Sequence, residues 1–289
     1  MTLRLIPRLD IKGPNLVKGI HFEGLRVLGK PENFARYYYE HGADELLYVD
    51  AVASLYGRNS LLDIIERTAR EIFIPLTVGG GLRSVDDMRA VLRAGADKVA
   101  VNTAAIANPS LISEAAQTFG SSVIVVSIQA RERQAGMYEC LTDYGRETTG
   151  LDVVKWASRA VELGAGEILL TSVDREGTGK GLDLELIQRV ARVMPVPIIA
   201  AGGAGKPEHI VDAVQQGKAD AVAVAAMLHY QAITSAQVTA EADCEEGNTE
   251  FLKGGRGFGV IAPKSIGEVK RVLATHGIES RPLEMMSAA

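Results

Sequence analysis

The residues best placed for acid–base and anion chemistry stand at the ends of short apolar runs. Asp10 closes the run over residues 3–9, and Gln129 follows the run over 123–128. A carboxylate ending a buried strand points into the mouth that the strands form, and acid–base work at two substrate atoms asks for a carboxylate at both positions. Gln129 can hold a substrate but cannot exchange a proton with it. Two glycine groups, Gly80 with Gly81 and Gly202 with Gly203, follow the runs over 76–78 and 198–200. Glycines there let backbone N–H groups approach an anion closely, and the helix that follows adds a favourable dipole. Asn102 and Thr103 add an amide and a hydroxyl to the first group. Ala225 and Ala226 match them in the second, supplemented by Asp174, Gly177 and Thr178. Two such cradles predict a small-molecule ligand phosphorylated at both ends.

Other chemistries fail on spacing. Residues 177–180 read Gly-Thr-Gly-Lys, but the upstream glycine of a P-loop is missing and Gly181 stands where Ser or Thr is needed. The glycines of 254–259 do not fit a dinucleotide fingerprint. The five histidines are scattered, His21 falling in a loop after the first run, and no metal site or cofactor is expected.

These residues need strands to carry them, and eight short apolar runs are present: 3–9, 46–49, 76–78, 99–101, 123–128, 168–171, 198–200 and 221–224. They are rich in Val, Ile and Leu without strict alternation, as parallel strands covered on both faces are. Helical patterns lie between them. Ser84 with Asp87 reads as a capping box, Asn108-Pro109 as a cap before a first-turn proline, and Ser60 precedes an apolar helical stripe. The segment over 74–103 recurs over 196–226, with Gly80 and Gly202 separated by 122 residues. Gly42-Ala43-Asp44-Glu45 is likewise echoed by Gly164-Ala165-Gly166-Glu167, and residues 5–10 line up with 124–129, which makes Gln129 the counterpart of Asp10. A repeat this long means two fused half-domains. The predicted fold class is α/β, a closed (β/α)₈ TIM barrel over residues 1–289 with its chemistry at the C-terminal strand ends. Residues 11–30 suit a mobile flap, and 131–150 form a second long loop with a small hairpin from Met137 to Thr142. Residues 240–258, first acidic and then glycine-rich and basic, form an insertion before the closing helix.

The 289 residues carry 31 basic and 36 acidic side chains, a net charge of −5, with no basic stripe for nucleic acid. Cys140 and Cys244 are far apart, which predicts a reducing compartment. No apolar run reaches the length of a membrane span, and charges interrupt the N-terminus before a signal core can form, so a cytoplasmic protein without membrane contact is expected.

Asp10-Ile11-Lys12, Leu16-Val17-Lys18-Gly19, Thr77-Val78-Gly79-Gly80-Gly81, Ala96-Asp97-Lys98-Val99, Asn102-Thr103-Ala104-Ala105 and Ala201-Gly202-Gly203-Ala204-Gly205-Lys206 resemble the cyclase subunit of imidazole glycerol phosphate synthase. The match spans about residues 3–235 and the closing helix. The resemblance implies a heterodimer with a glutaminase subunit, whose ammonia enters the barrel bottom. At the top it would react with a bisphosphorylated formimino-aminoimidazole-carboxamide ribonucleotide, giving imidazole glycerol phosphate and an aminoimidazole carboxamide ribotide in histidine biosynthesis. It assigns general acid–base work to Asp10 and the position of Gln129, assisted by Asp50 and Lys18, and a salt-bridged ammonia gate to Arg4, Glu45, Lys98 and Glu167. Gln129 departs from the family's aspartate. Glu132 and Glu176 are candidate substitutes, and Arg8, of the same inward parity as Asp10, would depress its pKa if adjacent. Two readings stay open: a cyclase-type lyase with Gln129 orienting substrate, or a diverged paralogue that activates a glutaminase and passes ammonia to another enzyme, as in amidine-modified sugar synthesis.

Overall fold

A computed structural model describes residues 2–53, 61–235, 238 and 259–282. The eight barrel strands are β1 (Arg4–Lys12), β2 (Leu46–Asp50), β3 (Leu76–Gly79), β4 (Lys98–Val101), β5 (Ile124–Gln134), β6 (Glu167–Ser172), β7 (Ile198–Ala201) and β8 (Ala221–Val224). Each pairs in parallel with its neighbours, and the circuit closes where β8 meets β1, Arg4 opposite Ala221. The expected (β/α)₈ barrel is therefore present. Helices α1 (Pro31–Glu40), α2 (Leu62–Ala69), α3 (Val85–Arg93), α4 (Ser110–Phe119), α5 (Val153–Glu162), α6 (Leu184–Ala191), α7 (Pro207–Gln215) and α8 (Ile266–Thr275) follow the strands in turn. Their apolar stripes pack on the outward side chains of the strands in one continuous core. A second, smaller cluster fills the barrel itself: Ile6, Leu47, Val125, Leu169 and Ile199, with the smaller Ala100, Ala201, Ala221 and Ala223 among them.

The repeated Ala-Asp pairs, Ala43-Asp44, Ala96-Asp97 and Ala219-Asp220, are structural staples at the N-terminal ends of the strands. The carboxylates of Asp44, Asp97 and Asp220 accept hydrogen bonds from the backbone N–H of Leu5, Leu76 and Ile198, each at 2.8 Å. Each thereby ties the start of one strand to the strand before it. The fourth copy has Gly166 in place of the aspartate, because a Cβ there would lie 2.2 Å from the Ser121 carbonyl oxygen.

Ser84 and Asp87 form the expected capping box on α3, and Ser265 with Glu268 forms another on α8. Such caps are each worth about 1 kcal/mol. The Asn108 side chain does not cap the backbone of α4: its carbonyl accepts from the Ser110 hydroxyl, while the Asn108 backbone carbonyl accepts from the Leu111 N–H at 3.1 Å. Ser60, Cys244 and the insertion over 240–258 lie outside the described residues, while Cys140 is buried with a free thiol. No described helix is long and apolar enough to cross a membrane.

The two long loops are more regular than the sequence suggests. Residues 11–30 are not an irregular flap: β1 continues into an antiparallel hairpin, Asn15–Ile20 against Glu23–Gly29, with Asp10 opposite Val17. The turn carries His21 and Phe22 at φ of 52° and 65°, the positive values that a tight two-residue turn demands. After β5 a second hairpin, Met137–Thr142 against Glu147–Asp152, extends the sheet in the same way, with Gln129 opposite Leu141. Strands β1 and β5 are the counterparts predicted by the internal repeat, so the duplication extends to their hairpins.

Candidate active site

At the C-terminal ends of β2 to β5 the rim opens into a cavity of about 340 Å³, walled by Asp50, Gly80, Gly81, Asn102, Thr103 and Gln129, together with Arg83, Ser127 and Tyr144. Gly80 adopts φ of 97°, and a Cβ on it would lie 2.5 Å from the Asp50 carbonyl oxygen. Its counterpart Gly202 adopts φ of 91° and would meet the Ser172 carbonyl oxygen at 2.6 Å. Asp50 and Ser172 are themselves repeat partners, so both cradles are built by the same close approach of backbone to backbone. The side chains expected to serve the first cradle are partly engaged by the second hairpin. Asn102 Nδ2 donates to the Leu141 carbonyl at 3.1 Å, and Thr103 Oγ1 accepts from the Asp143 N–H at 3.0 Å. Asp50 Oδ1 accepts from the Val52 N–H at 3.0 Å. Gln129 is buried in this cavity, and its Oε1, like Asn102 Oδ1, has no hydrogen-bond partner among the described residues. Buried acceptors left in that state are costly and are satisfied when a donor arrives.

The second cradle lies across the mouth, where Gly177, Gly202, Gly203, Ala225 and Ala226 meet Arg8, Lys18 and Glu176 around a space of only about 20 Å³. Asp174 and Thr178 do not join it. Asp174 accepts from the Glu132 N–H and faces Arg131, while the Thr178 hydroxyl donates to the Arg175 carbonyl. Glu132 is also excluded from the mouth, being exposed and bonded to the Gly136 N–H. Glu176 does reach it, but its carboxylate is in a buried ion pair with Lys18.

Asp10 is buried and held by Arg8, whose Nη2 lies 3.0 Å from Oδ1 and whose Nη1 donates to Thr171 Oγ1 at 3.2 Å. The expected adjacency of Arg8 is thus present, with the opposite net effect on Asp10. Desolvation outweighs the attraction of Arg8 and Lys18 and raises the Asp10 carboxyl above its ordinary value. Burial would raise Glu176 as well, but Lys18 and Arg8 together hold it below the usual carboxylate range. Burial beside Asp10 pushes the Tyr144 phenol well up. Phe22, at the tip of the first hairpin, packs 4.3 Å from Tyr144 between ring centroids and lies under the Arg8 guanidinium at 5.1 Å. Sequence reasoning missed Phe22 and Tyr144. The only available signal was Asp143-Tyr144-Gly145 as a turn between two strand-like segments.

At the opposite end of the barrel the four charged residues converge. Arg4 Nη1 bridges Glu45 at 2.8 Å and Glu167 at 2.9 Å, and Lys98 Nζ bridges the same two carboxylates at 3.4 and 3.2 Å. Each acid touches both bases, so the four form a closed ring of alternating sign. Each stands at or beside the start of its strand, because the strand N-termini converge on the barrel axis. The apolar inner cluster lies between this ring and the rim.

Comparison with known proteins agrees with this architecture. The family described as histidine biosynthesis protein matches residues 4–234. A Legionella pneumophila protein named imidazole glycerol phosphate synthase subunit HisF is 60% identical over 207 residues, covering 72% of this chain and 98% of that protein. Proteins of the same name from Geobacillus kaustophilus and Methanocaldococcus jannaschii are 50% and 46% identical, covering 83% and 82% of this chain and 96% and 94% of their own lengths. With a closed barrel, duplicated glycine cradles and relatives matched over nearly their whole length, the chain belongs to the HisF family of imidazole glycerol phosphate synthase subunits.

Proposed function

We propose that this chain is a cytoplasmic, ammonia-using cyclase subunit, a lyase of the glutamine amidotransferase type that pairs with a glutaminase. Its substrate is the bisphosphorylated formimino-aminoimidazole-carboxamide ribonucleotide, and its products are imidazole glycerol phosphate and the aminoimidazole carboxamide ribotide. The observation that carries this reading is the coaxial pairing of a closed four-residue charge ring at one end of the barrel with a glycine-walled cavity at the other. A neutral molecule such as ammonia crosses the apolar layer between them at far lower cost than an ion does. Backbone amides near Gly81 and Gly203 hold the two phosphates, with Asn102 and Thr103 beside the first. Asp10 exchanges protons with the reacting atoms. Burial shifts its pKa upward, the direction that favours a group which must both take and give a proton. Gln129 orients the substrate, its free Oε1 accepting from an N–H of the ligand. Lys18 and Asp50 position the substrate from the first hairpin and from the end of β2.

Two observations favour a second reading, a diverged paralogue that receives ammonia from the glutaminase and delivers it to another enzyme. Gln129 has no exchangeable proton of suitable acidity, and Asp10 is committed to Arg8. One assay separates the readings: purified chain, saturating ammonium salt and the formimino ribonucleotide, followed by loss of the substrate chromophore. Turnover is expected on the first reading, slower by about 10²- to 10⁴-fold than that of a relative with both carboxylates. A chain that binds this substrate without turnover supports the second.

A further inference from the structure

The two glycine cradles are equivalent by sequence repeat and unequal in what fills them. The first opens into about 340 Å³, whereas the second leaves about 20 Å³, room for roughly one water. The difference comes from protein groups already lodged there. Lys18 Nζ donates to the Glu176 carboxylate and, at 3.0 Å, to the Gly19 carbonyl. Arg8, the other cation on that wall, is taken up by Asp10 and Thr171. Lys18 and Glu176 are both buried. The first hairpin seals the arrangement. The His21 N–H donates to the Glu176 carbonyl at 2.9 Å, His21 Nδ1 lies 2.7 Å from the Val173 carbonyl, and a Cβ on Gly177 would come within 2.5 Å of the Gly19 carbonyl oxygen.

We propose that Glu176 is a built-in occupant of the second anion pocket, its carboxylate holding the lysine that a ligand phosphate would otherwise engage. The inference rests on the reading of both glycine cradles as phosphate sites. An anion binds the Gly80–Gly81 pocket without disturbing the protein. It binds the Gly202–Gly203 pocket only by displacing Glu176 from Lys18. Because Lys18 belongs to the first hairpin and Glu176 to the loop after β6, that displacement also loosens the contact between them. Glu176 is in this sense a specificity residue: a ligand phosphorylated at one end fits the protein as it stands, and a second phosphate must compete with an internal carboxylate.

Inorganic phosphate is the direct probe. Titrated into the full chain, with the backbone amides of Gly81 and Gly203 followed by NMR, it is expected to fill the first pocket at least tenfold more tightly than the second. Glu176→Gln should tighten the second about ten- to hundredfold, the scale of one charge-assisted hydrogen bond, and leave the first unchanged. Adding Lys18→Met to that variant should abolish the gain. Equal filling of both pockets in the unaltered chain, or a second pocket indifferent to Glu176→Gln, overturns the proposal while leaving the phosphate reading intact. Phosphate binding at neither pocket in any variant sinks the phosphate reading and the proposal together. If Glu176→Gln does not fold, Glu176→Asp, one methylene shorter, should give a smaller gain of the same sign, and its failure to do so counts equally against the idea.

Discussion

Gln129 carries more functional information than any other single position. It pairs across β5 and β6 with Thr171, whose hydroxyl is already engaged by Arg8. Replacing it with aspartate would put a second carboxylate within the field of that guanidinium, an environment that can hold one of the two acids ionised and leave the other to move the proton. Gln129→Asp is therefore expected to raise ammonium-dependent turnover of the formimino ribonucleotide by about 10²- to 10⁴-fold. An unchanged rate in a folded variant would mean that the missing carboxylate is not what limits the chain. At this scale the sequence was unevenly legible. Arg4, Glu45, Lys98 and Glu167 were legible only through the family resemblance, since a charge at a strand start is as readily solvated as paired; in the fold all four meet. Asp174 and Thr178 misled, since a loop polar group can turn outward as readily as inward, and only tertiary contacts with Arg131, Glu132 and Arg175 fix the direction.

Strands were the easiest elements to read, because short Val/Ile/Leu runs bounded by Gly and Asp have few alternatives, and the Ser84–Asp87 cap was visible for the same local reason. The first hairpin was not. Its turn is His21-Phe22 rather than Asn-Gly, so the positive φ is imposed by packing of Phe22 on Tyr144 and not announced by residue type. A similar hidden contact joins α1 to the short helix Ala226–Ala232 after β8. His229 is fully buried there, with Nδ1 2.6 Å from the Tyr38 hydroxyl and Nε2 unpartnered among the described residues. Burial, helped by the nearby Lys18 charge, lowers its pKa to about 3. The unfolded chain takes up this proton near the ordinary histidine value, so the contribution is complete above that pH and is lost as pH falls toward 3. It should add a slope of up to about 1.4 kcal/mol per pH unit to the loss of stability below that value. Urea unfolding at pH 7 and pH 5 should show a smaller pH effect in His229→Leu than in the unaltered chain. Equal differences would place the titration elsewhere.

For the molecule as a whole, the duplication made the barrel legible before any single element was secure: a repeat containing four strand–helix units closes most economically as eight. The repeat could not reveal the asymmetry laid over it, because Arg8, Gln129 and Glu176 act through partners distant in sequence. The charge ring belongs to this scale, since its members come from β1, β4, β6 and the start of β2. On the proposed reading, Lys98→Met should lower the ratio of glutamine-driven to ammonium-driven turnover by about tenfold in the complex with a glutaminase, the scale of one lost charge-assisted bond. A ratio that does not move would separate the ring from ammonia delivery. One further relation spans both halves. The hairpins spring from β1 and β5, on opposite sides of the barrel, yet Phe22 at the tip of one rests on Tyr144 at the turn of the other. The two halves of the duplicated barrel are thus clasped over the mouth through a single pair of rings, so a change of shape at either hairpin tip is felt by its counterpart on the far side.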